Sequence, residues 1–534
     1  MAPRKILWPG RVPQAYFSAG DIALASPPPG CFTASMDADE AYGELTAKLK
    51  RVHTLGTVAG LLGWDEQVNL PPDSADQRAE QMALLAGLQH QAASDPVIGR
   101  RLTELEGRRE ALTADQQIVL RHARRDYDRV TKLPADFVEE KATHISRTYH
   151  AWAAAKAKSD FAAYAPYLEK HLELAKQEAA YLGWGDRPYD YMIDLHDPGM
   201  DAATTGRLFA ELKEGLLPLV REILVSPVKA KPGLLRGFDV GKQREFLREV
   251  TERLGFDYRR GRIDVSLHPF CEGSGADIRM TTRFDANQPL DALFSSIHET
   301  GHGLYEQGLA RADYGTALGQ NAGMAVHESQ SRLWENQVAR SRAFWEFFEL
   351  RLRWKFPHQL EEIRPDDLYL AINAVEPTLI RVDADEVTYN LHILLRFELE
   401  QKLFSGELTV ANLPKAWNRL SLELLGLTPT KNAEGVLQDV HWSGGAFGYF
   451  PSYCLGNMIA AQFWYKAQEE LPGLTQDFAK GDFSRLLAWL RAHVHAEGRR
   501  YDTRELVRHV TGEELSPRHL LRYLRERYGG LYLK

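Results

Sequence analysis

Two histidines four residues apart, His298 and His302 in Ile297-His298-Glu299-Thr300-Gly301-His302, can grip one metal ion together if they sit on a helix. Four residues are just over one helical turn, so the two imidazoles share a face. Glu299 lies about 100° round the helix from His298, within reach of a water at the metal but off the ligand line. That is the arrangement of a zinc hydrolase. The preceding residues suit a helix, with Asp291 as an expected cap and Ala292, Leu293, Phe294 and Ile297 at apolar helical spacing.

A catalytic zinc takes three protein ligands and keeps one position open. A third ligand must therefore come from downstream. The metzincin pattern needs Gly three and His six residues after His302, where this chain has Tyr305 and Gly308. No glutamate lies between Glu306 and Glu328, which sets aside a thermolysin-like spacing. Glu306 shares the rigid helix that already holds both histidines, which works against its bending back to the same ion. Glu328 is the favoured third ligand. It follows Gly323 in a segment of helical composition, Met324 to Asn336, so two packed helices can converge on the metal. His327 is a neighbour about 100° away on that helix, expected to support the site rather than to ligate.

These residues resemble the carboxypeptidase Taq family of HExxH metallocarboxypeptidases. Further motifs follow the family's order: His268-Pro269-Phe270, Asp277-Ile278-Arg279-Met280-Thr281, Ile380-Arg381-Val382-Asp383-Ala384-Asp385 and Gly435-Val436-Leu437-Gln438-Asp439-Val440-His441-Trp442. The likeness runs from about Tyr42 to Tyr528. One departure is Cys271, where a hydroxyl residue is common after the His-Pro-Phe run. The resemblance implies a mainly α, gluzincin-type fold with a long active-site groove and a small β-sheet beside the metal helix. It also implies one divalent metal per chain, zinc with cobalt or manganese as alternatives, and a homodimer. The implied activity is release of single C-terminal residues from peptides, with broad specificity.

Chemistry agrees with that expectation. Two imidazoles and one carboxylate leave the metal enough charge to polarise a carbonyl and acidify water, and Glu299 is placed to take the water's proton and hand it to the leaving amine. His441 and Tyr449 are candidate donors to the developing oxyanion, because His441 to Phe450 is similar to the His-then-Tyr segment of helical peptidases of the angiotensin-converting-enzyme type. A carboxypeptidase also needs a cation for the substrate's terminal carboxylate, and an arginine fork suits it best. Arg381 and Arg279, each inside a family-like motif, are the candidates. The alternatives are an oligopeptidase or dipeptidyl carboxypeptidase of the same helical type, or a scaffold whose metal is closed structurally by His327 as fourth ligand.

The elements that must hold these residues read as helix after helix. Leu45, Leu49, Val52, Leu55 and Leu62 repeat at helical spacing, and similar patterns start near Gln77, Ala114, Ala135 and Phe161. Strand character is local. Ile263, Val265 and Leu267 alternate with polar residues, and Ile278 and Met280 resume after Cys271-Glu272-Gly273-Ser274-Gly275, which suggests a small hairpin placing Arg279 in the cleft. His268 precedes Pro269 and belongs to an extended segment. His493 and His495 face different directions in a helical pattern, as surface or core residues. Ser516-Pro517 should start a last helix and Gly529-Gly530 should stop it.

With 534 residues, 44% hydrophobic and 26% charged, the chain has ample core. Residues 1–36 read as an N-terminal extension, acid-poor with Arg4, Lys5 and Arg11; residues 37–534 read as a single helical domain. A net charge of −8 gives no reason to expect nucleic acid. No 18-residue apolar run points to a membrane. Three scattered cysteines, Cys31, Cys271 and Cys454, fit a reducing cytoplasm rather than a disulfide framework.

Overall fold

Capping residues mark many of the helix starts. Thr113 and Gln116 form a reciprocal capping box, while Asp160, Asp201 and Asp239 each accept a backbone N–H of the turn they open. In the computed structural model, which describes residues 37–231 and 233–533, the first helices are α1 (Ala38–Val68), α2 (Ala75–Ala93), α3 (Pro96–Glu106), α4 (Ala114–Thr131) and α5 (Ala135–Lys158). They are followed by α6 (Phe161–Tyr181), α7 (Pro188–His196), α8 (Ala202–Val225) and α9 (Val240–Leu254). A sheet of β1 (Gly261–Val265), β2 (Cys271–Ser274) and β3 (Asp277–Thr282) interrupts the run. Next come α10 (Pro289–Gly308), α11 (Met324–Arg332), α12 (Arg342–Lys355), α13 (Pro357–Leu360), α14 (Pro365–Ile372), α15 (Tyr389–Ser405), α16 (Leu413–Leu425) and α17 (Phe450–Glu470). The chain ends in α18 (Leu474–Ala479), α19 (Ser484–His493), α20 (Thr503–Thr511), α21 (Arg518–Leu524) and α22 (Gly530–Tyr532). The expected extension, residues 1–36, lies outside the described residues.

The mainly α architecture with a small sheet is as expected, and Ala38–Lys534 forms one compact unit. Its core is in two parts. The large one spans α5 to α22; a second, built on Ala41, Leu45, Ile98, Leu102, Leu105 and Leu120, belongs to α1, α3, α4 and the link before α4.

Sheet order is β1-β3-β2, with β1 parallel and β2 antiparallel to β3. The hairpin is therefore β2–β3, and β1 joins across it. Leu267, expected to extend β1, instead sits 81% exposed beyond the strand end. Ile278 and Met280 are fully buried on the α10 side of β3, so Arg279 points to the opposite face.

Two helix boundaries differ from expectation. The metal helix begins at Pro289 with Gln288 as N-cap, placing Asp291 in the first turn, where its charge still suits the dipole. At the C-terminus, Pro517 is the cap and the helix does not stop at Gly529-Gly530. It passes through a wide turn over Arg525–Gly529 into α22, because Tyr528 and Tyr532 are buried on either side of the glycines and that burial outweighs a glycine penalty of about 1 kcal/mol each.

Between α1, α2 and α4 on one side and β2 with the segment after α10 on the other runs a cleft. One part, about 660 Å³, is lined by His53, His90, His122, Asp126 and Arg499. Another, about 530 Å³, is lined by Lys50, Leu61, Arg279, Arg311 and Tyr314. Thr57 and Glu272–Ser274 border both.

Candidate metal centre

Helix packing through glycine brings the three expected ligands together. A Cβ at Gly301 would stand 2.5 Å from Gln330 O and Ser331 Cα, and one at Gly456 would stand 2.7 Å from Glu328 Cβ. Glycine at both positions thus lets α11 sit directly between α10 and α17. His298 Nε2 and His302 Nε2 are 3.2 Å apart, and Glu328 Oε2 lies 3.6 Å from the first and 3.5 Å from the second. Ligands at ordinary zinc bond lengths on a tetrahedron are separated by about 3.4 Å. Two nitrogens and one carboxylate oxygen at these spacings fit a divalent metal.

Each ligand is braced. Arg332 Nε holds Glu328 Oε1 at 2.7 Å, and Ser331 Oγ donates to Oε2 at 3.1 Å, so Oε2 is the oxygen turned to the imidazoles. His298 Nδ1 is 2.9 Å from Glu335 Oε2, which also receives Arg332 Nη1 at 3.1 Å. His302 Nδ1 is 2.5 Å from His327 Nδ1, and His327 Nε2 is 2.9 Å from Glu306 Oε1. A protein partner on Nδ1 leaves Nε2 of both rings free for metal. His327 therefore supports His302 from the far side and does not close the site as a fourth ligand. Among the described residues, His298, His302 and Glu328 are the group whose ligand atoms could hold a metal ion.

Electrostatics follow from burial. Glu328 is pushed up by burial, but Arg332, His298 and His302 outweigh it and hold its carboxyl far below the usual range. Burial lowers His302 to about 3. Glu299 is 6% exposed, and burial raises its carboxyl to about 7 despite His298. Burial also lifts the Cys271 thiol, with Glu299 and Glu306 adding to the shift, so β2 borders both the cleft and the metal helix.

Arg381 is 6% exposed. Its Nε and Nη2 donate to Asp439 Oδ1 at 3.0 and 2.9 Å, and its Nη1 donates to Tyr389 Oη at 3.0 Å. Arg332 stacks on the same Tyr389 ring, 4.5 Å from its centroid, which links Arg381 to Glu328. His441 Nε2 lies 3.1 Å from Tyr453 Oη, and the Tyr453 ring packs edge-on against Tyr449, their centroids 5.3 Å apart. Burial, then Arg381, lowers His441 to about 3, so the ring is neutral. Burial and the nearby Glu328 raise the Tyr449 hydroxyl. Arg381, His441 and Tyr449 thus form one cluster beside Glu328. Arg279 is elsewhere: it lines the cleft, paired with Asp277 Oδ1 at 2.9 Å and stacked 4.2 Å over Trp64 of α1.

The sequence profile of the Carboxypeptidase Taq (M32) metallopeptidase family matches residues 44–528. The chain belongs to that family. It is 42% identical to thermostable carboxypeptidase 1 of Thermus thermophilus, over 93% of this chain and all of that protein. It is 38% identical to carboxypeptidase 1 of Bacillus subtilis, over 91% of this chain and 97% of that one. Among solved structures, the M32 carboxypeptidase of Deinococcus radiodurans superposes with a TM-score of 0.90 at 43% identity, covering 93% of this chain and all of the other. Pyrococcus furiosus carboxypeptidase gives 0.88 at 34% identity, covering 92% and 99%. This protein is an M32 metallocarboxypeptidase with a mainly helical fold.

Several residues around the M32 centre escaped the sequence reading. Arg332 and Glu335 stand four and seven residues after Glu328, a one-face helical spacing that carried a signal. Tyr389, Tyr453, Glu306 as partner of His327, and the buried Asp197 and Glu400 had none. Of the remaining histidines, His268 is exposed, His493 is exposed, and His495 is buried with Nε2 3.0 Å from Gln330 Oε1. Cys454 is buried and Cys271 partly so. No described helix is long and apolar enough to cross a membrane.

Proposed function

We propose that this M32 metallocarboxypeptidase releases single residues from the free C-terminus of peptides, with His298, His302 and Glu328 holding one zinc ion and Glu299 as general base. The observation that carries the exopeptidase reading is the charge count round Asp439. Arg381 and Arg396 both bond this one carboxylate, Arg396 through Nε at 2.7 Å, while His441 is neutral. Two guanidinium groups thus share this single carboxylate. Three of the five Arg381 N–H groups are engaged, leaving two for a terminal carboxylate.

The metal, when bound, supplies Lewis acidity toward the scissile carbonyl and the attacking water. Glu299 accepts the proton of that water and returns it to the leaving amine; its burial raises the carboxyl above the ordinary carboxylate range. Tyr449 and His441, neutral hydroxyl and neutral imidazole clustered round Tyr453, donate to the carbonyl oxygen as it gains charge. Arg381 holds the terminal carboxylate and so fixes which bond meets Glu299. Arg279 would brace the cleft wall against α1, and helices α1 to α4 would border the upstream part of the peptide.

Val382 and Val440, flanking this cluster, are 69% and 42% exposed; apolar, open neighbours support broad acceptance of terminal side chains. A cytoplasmic homodimer is part of the same proposal, supported by the free thiols of Cys271 and Cys454 for the compartment and by family likeness for the dimer. Mass spectrometry of products from free and C-terminally amidated peptides tests the activity. Single-residue trimming blocked by amidation is expected. Dipeptide release, or equal cleavage of amidated peptides, would favour the oligopeptidase type instead.

A further inference from the structure

We propose that Glu400 is a positioning residue for the segment that carries His441 and Tyr449, acting on catalysis through the Tyr449 hydroxyl. This rests on the donor roles proposed above. Glu400 lies on α15 with no exposed surface, and its carboxylate accepts three hydrogen bonds. Trp442 Nε1 donates to Oε1 at 2.6 Å; Gly448 N and Tyr189 Oη each donate to Oε2 at 2.9 Å. Trp442 directly follows His441, and Gly448 directly precedes Tyr449. One side chain therefore grips the segment at both ends, each grip one residue from a proposed donor.

The segment has little stiffness of its own. A single short turn, His441–Gly444, is its only regular structure, and Gly445 and Gly448 have φ of 71° and 72°, where a side chain is disfavoured. A Cβ on Gly448 would come within 2.4 Å of the Met192 carbonyl carbon, so α7 forms the floor beneath it. His171 and His196 hold the middle, at Ser443 O (2.9 Å) and Phe447 O (3.2 Å). Glutamine in place of Glu400 would keep the shape but turn an NH2 group toward an N–H or O–H donor at one end, releasing that end. A shift of about 1 Å at a donor costs about 100-fold in rate.

The test is a double-mutant cycle on the metal-loaded enzyme. E400Q is expected to lower kcat about 10- to 100-fold, with metal content and the KM of a free-C-terminus peptide within about twofold of the parent. In a Tyr449→Phe background the same change should cost less than about threefold more, because the donor it positions is already gone. A wild-type kcat in E400Q, or its full loss repeated in the Tyr449→Phe background, would overturn the proposal. If E400Q does not fold, Tyr189→Phe removes one of the three donors and leaves the carboxylate; a severalfold fall in kcat that vanishes in the Tyr449→Phe background supports the proposal, and an unchanged kcat overturns it. The two readings fail separately. Tyr449→Phe at full rate sinks its donor role and the route through it, whereas E400Q at full rate beside a slow Tyr449→Phe sinks Glu400 alone.

Discussion

His302 and His327 face each other Nδ1 to Nδ1 at 2.5 Å although they sit on different helices, and Glu306 takes the far nitrogen of His327 at 2.9 Å. Proton placement follows. If His302 Nε2 is to ligate, its Nδ1 carries the hydrogen and donates to His327, whose own hydrogen then lies on Nε2 and points at Glu306. Asn321 Nδ2 steadies the same Glu306 oxygen at 3.1 Å.

Removing this support should weaken metal binding. Glu306→Gln and His327→Ala are each expected to raise the metal dissociation constant about 10- to 100-fold, measured by competition with a chromophoric chelator. Affinity within twofold of the parent would show that His302 needs no such brace.

Glu299→Gln should retain one metal per chain by elemental analysis and lose at least about 100-fold in kcat. Glutamine is close in size, so the loss reports proton transfer rather than packing. Substantial residual turnover would remove Glu299 from the role of base.

The pH profile carries a sign that can be worked out. A base is active when deprotonated, so turnover is present above its pKa and lost as pH falls through it. Burial raises Glu299 to about 7 without metal, and a bound cation beside it draws that value down. The acid limb of kcat/KM in metal-saturated enzyme is therefore expected below about 7, and a flat profile down to about pH 4 would contradict the assignment.

Arg381→Ala should lower kcat/KM about 100-fold through KM, a loss of the size of one charge-assisted hydrogen-bonded contact. Metal content should not change. Steady-state kinetics on free and amidated peptides read this out: the parent's preference for the free carboxylate should collapse. Unchanged kinetics would move carboxylate recognition to Arg279.

Gly301→Ala tests how the site is assembled. The added methyl would stand 2.5 Å from backbone atoms of α11, which cannot rotate aside, so α10 and α11 must separate. A loss of about 1–3 kcal/mol in stability is expected, seen as a lower Tm, together with weaker metal binding. A variant as stable and as tightly metallated as the parent would show that the helices can give way.

Legibility in the sequence followed the range of the interaction. His298, Glu299 and His302 were readable because a helix alone sets their relative directions, and Glu328 because zinc chemistry demands a third ligand and few acids stand near enough. Arg381 was placed by motif, yet its environment was not. Asp439 lies 58 residues away and Tyr389 eight, and only the tertiary fold brings the loop after α16 and the start of α15 round one guanidinium. Arg279 lines the cleft as its motif suggested, but strand alternation turns it to the α1 face over Trp64, away from Arg381. The Gly529-Gly530 stop failed for a related reason: local propensity carries about 1 kcal/mol, and the burial of Tyr528 and Tyr532 overrides it.

The helical class, the pair of imidazoles with Glu299 between them, and the likeness to a metallocarboxypeptidase family were written in residue spacing, since backbone geometry over one or two turns needs no further information. Which oxygen of Glu328 faces the two imidazoles, how His327 and Glu335 hold the two rings, and how Arg381 and Arg396 come to share Asp439 were decided by the fold. Those relations depend on helices distant in the chain meeting at glycine contacts, and distance along a sequence says nothing about them.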